Sequence, residues 1–115
     1  MVKDKDMLLL LKSTGLGDGE LDLGERLIKS FLTVLFNSGT IPARIICVSS
    51  GIFLSTQGSP VTDIFEKFER QGASVASCTT CLEYYGRRDK IVIGTATDMK
   101  DIVGAMLSFK KVVSP

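Results

Sequence analysis

Two cysteines three positions apart, in Cys78-Thr79-Thr80-Cys81, carry the sharpest chemistry in the chain. A thiolate is both a nucleophile and a metal ligand, and it forms more readily near cations or at the start of a helix. Leu82 to Tyr85 can form a short helix beginning at the motif, and Arg87, Arg88 and Lys90 follow closely, so both effects would act on the pair in one direction. Four chemistries fit such a motif: persulfide chemistry, dithiol–disulfide exchange, metal binding and inert core thiols. Structural zinc needs four ligands. Here Cys47 is the only further sulfur and there is no histidine, so an all-protein zinc site would have to be shared between subunits. The motif follows the third expected strand, whereas thioredoxin-like folds place theirs after an early one. Cys47, inside Ile45-Ile46-Cys47-Val48, reads as a small core hydrophobe.

The absence of histidine removes the usual neutral-pH general base, the Ser-His-Asp and Cys-His nucleophile pairs, and imidazole metal sites. Gly15-Leu16-Gly17-Asp18-Gly19 stands where phosphate loops occur but fails on spacing. A dinucleotide fingerprint would need glycine at position 20 or 22, where Glu20 and Asp22 stand, and no Lys-Ser/Thr pair follows. The segment reads as a turn capped by Asp18. Gly86 to Lys90 reads as a turn with solvated charges, and its position after the thiols makes tuning their pKa or holding an anionic substrate the alternative, with Arg87 and Arg88 as the residues concerned. Of Tyr84 and Tyr85, one ring is expected to pack inward and the other to face water. No cofactor is implied.

These residues need a scaffold, and hydrophobic periodicity outlines one. Met7 to Lys12 is an apolar run that reads as a strand buried on both faces. Leu23, Leu27, Phe31, Val34 and Leu35 then recur at helical spacing after Glu20. Arg44 to Ser49 reads as a second strand, and Ser59 as N-cap with Pro60 at the first helical position opens a helix burying Ile64, Phe65 and Phe68 and ending before Gly72. Ala73 to Ser77 forms a third strand and Ile91 to Ile93 a fourth. Asp98 caps a last helix with the stripe Met99, Ile102, Val103, Met106 and Leu107, and Val112 to Val113 closes an edge. Strands alternating with helices imply a three-layer α/β/α domain around a mainly parallel sheet, with its site at the carboxyl ends of the strands.

With 115 residues the chain has room for one domain, expected to span 1–115. Lys plus Arg number 14 and Asp plus Glu 13, so no global field draws it to nucleic acid or to an anionic membrane. No apolar run approaches the ~20 residues of a membrane helix. An odd number of closely spaced cysteines is no disulfide framework and points to a reducing, cytoplasmic setting.

With Gly15 to Gly24, Ser50-Gly51, Gly58-Ser59, Cys78-Thr79-Thr80-Cys81-Leu82 and Gly94 to Met99 in place, the chain resembles the DsrE-like superfamily nearly end to end, and most closely the carboxyl-terminal domain of YedF-type proteins. The resemblance implies a compact α/β sulfur-relay fold associated with cysteine-bound sulfane sulfur and with selenium metabolism. The family's strand-two turn usually reads Asn-Ser-Gly-Val and its cysteine motif Cys-Gly-Thr-Cys-Leu. Here Ser49, Ile52 and Thr79 replace the Asn, the Val and the first Gly. The two cysteines carry over onto Cys78 and Cys81. Cys78 at the strand's end is expected to take the persulfide and Cys81 in the first helical turn to resolve it, or the reverse, with substrate contacts expected at Ser50, Gly51, Arg87 and Arg88. The implied activity is sulfur carriage or sulfurtransferase-like relay, with a TusA-like protein or a cysteine desulfurase as donor or acceptor and a homo-oligomeric assembly. No TusA-like domain is expected ahead of Met7. The competing readings are a non-catalytic oligomeric binding or regulatory subunit with structural cysteines, and a dithiol–disulfide redox protein.

Overall fold

A run such as Met7-Leu8-Leu9-Leu10-Leu11 has no polar side to turn to water and must be covered on both faces. In the computed structural model, which describes all 115 residues, it is the buried half of β1 (Val2–Leu11). That strand lies inside a five-stranded, all-parallel sheet ordered β4-β3-β2-β1-β5, with β2 at Thr40–Cys47, β3 at Ser74–Cys78, β4 at Thr95–Thr97 and β5 at Lys111–Val113. The pairing Leu11 to Cys47 and Cys47 to Ser77 aligns the carboxyl ends of β1, β2 and β3. Pro42 sits within β2 at a point where β1 pairs and β3 has not yet begun, so its missing N–H interrupts no bond toward β3.

Parallel strands require crossovers. These are α1 (Leu21–Asn37), α2 (Thr62–Arg70), α3 (Thr79–Tyr84) and α4 (Met99–Ser108), with a 3-10 segment at Ser49–Leu54 between β2 and α2. Alternation along the strands divides the core. Leu9, Leu11, Ile45, Cys47 and Val75 face α1 and α2 with Ile28, Leu32, Phe65 and Phe68, whereas Leu8, Leu10, Ile46, Ala76 and Cys78 face α4 with Ile102 and Ala105. No helix is long and apolar enough to cross a membrane.

The three-layer architecture expected from the sequence is the one observed, with all strands parallel. Several local expectations change. The fourth strand is Thr95–Thr97, and Ile91 makes only an isolated antiparallel bridge to Thr56. Ile93 is buried against the α1–α2 core from a loop, so its apolar character reflects packing rather than pairing. Gly94, at φ 79° and with Val75 backbone where a Cβ would stand, turns the chain into the edge. On α1 the fully buried line is Gly24, Ile28 and Leu32, while Leu23, Leu27 and Val34 are exposed. Helix α4 is capped by Asp98, which accepts from the Asp101 N–H at 2.9 Å, but buries only Ile102 and Ala105 and leaves Met99, Val103, Met106 and Leu107 exposed. Helix α2 begins at Thr62, after a turn in which Ser59 Oγ accepts from the Val61 N–H at 3.1 Å. Asp18 is exposed and caps nothing. The turn closes instead through Ser13 Oγ and Gly15 and through the Leu16 N–H on the Gly24 carbonyl at 3.0 Å.

Candidate functional site: a thiol pair at the ends of β2 and β3

The site forms where the second and third strands stop. Val48 continues past β2 by donating its N–H to the Leu11 carbonyl at 2.9 Å, and the chain then folds into the 3-10 segment. Gly51 is needed there, because a Cβ would run into the Leu11 carbonyl. Ser49 is the only non-glycine residue with positive φ, at 53°. At this turn the Ser49 N–H donates to Cys81 Sγ at 3.1 Å. β3 ends in Cys78, the N-cap residue of α3, and the first turn of α3 carries Cys81 back toward Ser49. Thr79 Oγ1 donates to the Thr97 carbonyl at 2.9 Å and fastens that turn to β4.

All three cysteines are free thiols, in three environments. Cys47 is fully buried and its thiol is pushed up to about 12 by desolvation, with a hydrogen bond from Ser55 acting the other way. Cys78 is 1% exposed on the α4 face of the sheet. Cys81 is half-buried, within hydrogen-bonding reach of the Cys78 thiol, and opens into a shallow cleft of about 250 Å³ shared with Ser49, Thr80, Tyr84 and Tyr85. Its pKa is raised, first by burial and then by the Cys78 thiol, against the opposing pull of the Ser49 N–H. The physical content is that the pair holds one negative charge far more easily than two.

The structure therefore brings Cys78 and Cys81 together but reverses their expected accessibility. Cys78 ends a buried strand, so its side chain points into the sheet's packing, while one helical turn brings Cys81 out to the cleft. No cation figures among the influences on Cys81. Arg87 lies with its guanidinium carbon 4.7 Å from the Phe53 ring centre, and its Nη1 donates to Thr56 Oγ1 at 3.2 Å and to the Gln57 carbonyl at 3.0 Å. Arg88 is exposed on the turn. Ser50 lies partly buried in the 3-10 segment, and Gly51 serves close backbone approach. Tyr85 packs edge-on against Phe53 with ring centres 4.8 Å apart, while Tyr84 is 82% exposed. The residue that sequence reasoning did not place in the site is Ser49, whose part is played by a backbone N–H that no side-chain pattern reveals. No three Cys, Asp or Glu side chains gather in a metal-holding group.

The arrangement defines a class: an all-parallel, three-layer α/β domain with a CxxC-spaced thiol pair at the strand ends. No protein-family model matches the chain, and no curated protein matches it. Among solved structures it is similar to the YchN protein of E. coli, at TM-score 0.70 and 15% identity over 97% of this chain and 100% of that one. It is similar also to MTH1491 of Methanobacterium thermoautotrophicum, at TM-score 0.73 and 13% identity over 97% and 100%. A third is BT1422 of Bacteroides thetaiotaomicron, at TM-score 0.62 and 17% identity over 96% and 95%. The latter two are described as proteins of unknown function. At these identities the likeness establishes the fold.

Proposed function

We propose that the protein carries sulfur as a persulfide on the Cys78–Cys81 pair. One observation supports this above others: a half-exposed thiol opening into a cleft, with a second, buried thiol within hydrogen-bonding reach behind it. Cys81 is the receiving thiol in this reading. Its thiolate attacks the outer sulfur of a donor persulfide, the donor's S–S bond breaks, and the donor leaves as a thiolate. Cys78 resolves the product when no acceptor is present. Its thiolate attacks Cys81 Sγ, hydrosulfide leaves, and a Cys78–Cys81 disulfide remains. This assignment exchanges the roles expected from the motif alone.

The donor or acceptor is a second protein, TusA-like or a cysteine desulfurase, in a reducing cytoplasm, and selenium is an alternative cargo suggested by the YedF-type resemblance. Self-association belongs to the same proposal. Exposed apolar side chains lie on α1 (Leu27, Val34) and on α4 (Met99, Val103, Met106, Leu107), on opposite sides of the sheet, and copies of this chain would cover both.

Intact mass after incubation with a persulfide donor tests the sulfur reading. Wild type gains one sulfur atom, and on standing loses it together with two hydrogens. Cys81→Ser gains none, and Cys78→Ser gains sulfur and keeps it. No sulfur gain on wild type, with a reversible Cys78–Cys81 disulfide formed by thiol–disulfide exchange, would support a redox protein instead.

A further inference from the structure

A second cleft, about 400 Å³, shares Tyr85 with the thiol cleft and is lined by Gln57, Gly58, Tyr85, Gly86, Arg87 and Lys90. Its walls are fixed by backbone hydrogen bonds. The Gln57 N–H donates to the Lys90 carbonyl at 2.9 Å, the Val92 N–H to the Ser55 carbonyl at 3.0 Å, and the Lys90 N–H to the Arg87 carbonyl at 2.9 Å. Arg87 is held by the Phe53 ring and by two neutral oxygens, both taken by Nη1, so its other N–H groups have no protein acceptor. The protein's two ion pairs, Arg44–Asp101 and Lys111–Asp4, are elsewhere. Arg87 and Lys90 are thus two half-buried like charges in one cleft, neither neutralised by a carboxylate. Glu25 lines the adjoining hollow with Arg87 without pairing to it, and Asp89 is exposed on the turn. Holding two cations together, partly out of water, is unfavourable until an anion arrives.

Tyr85 lines both clefts, which makes them neighbours on this part of the surface, Cys81 opening into one and Arg87 and Lys90 into the other. We infer that the Arg87–Lys90 cleft binds the carboxylate of a low-molecular-weight persulfide whose sulfane sulfur is presented to Cys81. The inference rests on the sulfur-carrier reading and deepens it by adding a small-molecule donor, which leaves the protein partner named there as the acceptor. In the transfer, Cys81 S⁻ attacks the outer sulfur of R–S–SH to give Cys81–S–SH, and R–S⁻ departs still held by its carboxylate. Arg87 supplies a planar fork of donors for that carboxylate, and Lys90 a mobile point charge.

The test compares glutathione persulfide, which has two carboxylates, with its diethyl ester, which has none, following sulfur uptake by intact mass at low salt. Wild type should take sulfur from the acid about tenfold faster than from the ester, and Lys90→Glu should bring the ratio to about one. Arg87→Gln, which keeps a side-chain amide for the Thr56 and Gln57 contacts, should lower the same ratio. Equal rates from acid and ester in wild type would overturn the inference, as would a ratio unchanged in both variants. A second measurement separates this from the sulfur chemistry: titration with S-methylglutathione, which has no sulfane sulfur, read by amide shifts. Shifts at Gly58, Gly86 and Lys90 that vanish in Lys90→Glu support the anion cleft even if no persulfide ever forms. No shifts at those amides would refute it even if Cys81 proves to be a sulfur carrier.

Discussion

Toward α1 and α2 the sheet meets a core of sixteen buried residues, including two full phenylalanine rings, whereas toward α4 it meets one of seven in which the helix contributes only Ile102 and Ala105. The first face is covered by helices of 17 and 9 residues, the second by one of 10. Cys47 lies in the thick layer and Cys78 in the thin one. Cys81 packs against both, at the seam where the sheet's covering runs out. The contrast teaches that the pleat sends Cys47 and Cys78 to opposite layers, both out of water, and that exposure comes only with Cys81, one helical turn beyond the strand.

The largest expected effect separates the thiols themselves. At about pH 8, a thiol moved from 9.0 to about 12 has roughly a thousandfold less thiolate. Peptide mapping after brief alkylation of the native protein should show Cys81 labelled first, Cys78 later, and Cys47 only after denaturation. Equal native labelling of Cys47 would erase the distinction between the layers. The same shift has a stability consequence. Because the folded thiol pKa is raised, its contribution is complete below the unfolded value near 9 and is lost as pH rises toward about 12, a change of up to ~4 kcal/mol. Urea titrations across that window should show the decline, and Cys47→Ala should flatten it.

Core truncation sharpens the comparison next. Phe68→Ala should cost about 3–5 kcal/mol and Ile102→Ala nearer ~2 kcal/mol, since the thinner layer has more freedom to settle around a lost side chain. Equal costs by urea denaturation would mean the two layers are equally well closed. The third test concerns what covers the thin layer's outer side. Val103→Lys with Met106→Lys should change monomer stability by no more than ~0.5 kcal/mol, because both side chains are exposed, yet lower the mass seen by light scattering. A wild-type protein that stays monomeric at high concentration would leave α4 without that role.

The next effect is smaller. Arg44 on the thin face pairs with Asp101 of α4, which also accepts from Thr97 Oγ1 at 2.5 Å, and the guanidinium first and the hydroxyl second lower the Asp101 pKa to about 2. A depressed carboxyl stabilises above its unfolded pKa near 3.8 and loses that contribution as pH falls toward about 2. The side chain is 43% exposed, so solvent screening keeps the value of Asp101→Asn at or below ~1 kcal/mol. An acid midpoint shared by Asp101→Asn and wild type would show that the pair contributes nothing.

Much of this was legible beforehand, and the failures have a common cause. Leu8 to Leu11, Phe65 and Phe68, the Asp98 cap and the glycine at position 72, at φ 108°, follow from local rules of burial and turn chemistry. On α1 and α4, apolar residues occupy more than one face, and periodicity cannot say which face the sheet takes. The choice of Gly24, Ile28 and Leu32 is made by close approach, since Gly24 backs directly onto Gly15. The edge strand carries no sequence signature, because Thr95–Thr97 needs no apolar side chain to pair, whereas Ile93 is apolar and does not pair. The thiol pair was legible as a motif. Its polarity depended on whether Cys78 belongs to the strand or to the loop, a matter of one residue.

Ser49 holds a dihedral that suits glycine or asparagine better than serine, and its N–H is bonded to Cys81 Sγ. The left-handed conformation costs a serine roughly 1–2 kcal/mol, of which glycine would recover about half once its own greater freedom in the unfolded chain is counted. The turn is in effect a spring kept cocked against a sulfur atom. Ser49→Gly should raise the unfolding free energy by about 0.5–1 kcal/mol while letting the N–H wander from the sulfur, so that a more stable protein alkylates at Cys81 with an altered rate. An Asn here would keep the spring at rest and the N–H in place. On that account position 49 answers first to a demand of the main chain, and its side chain need touch nothing.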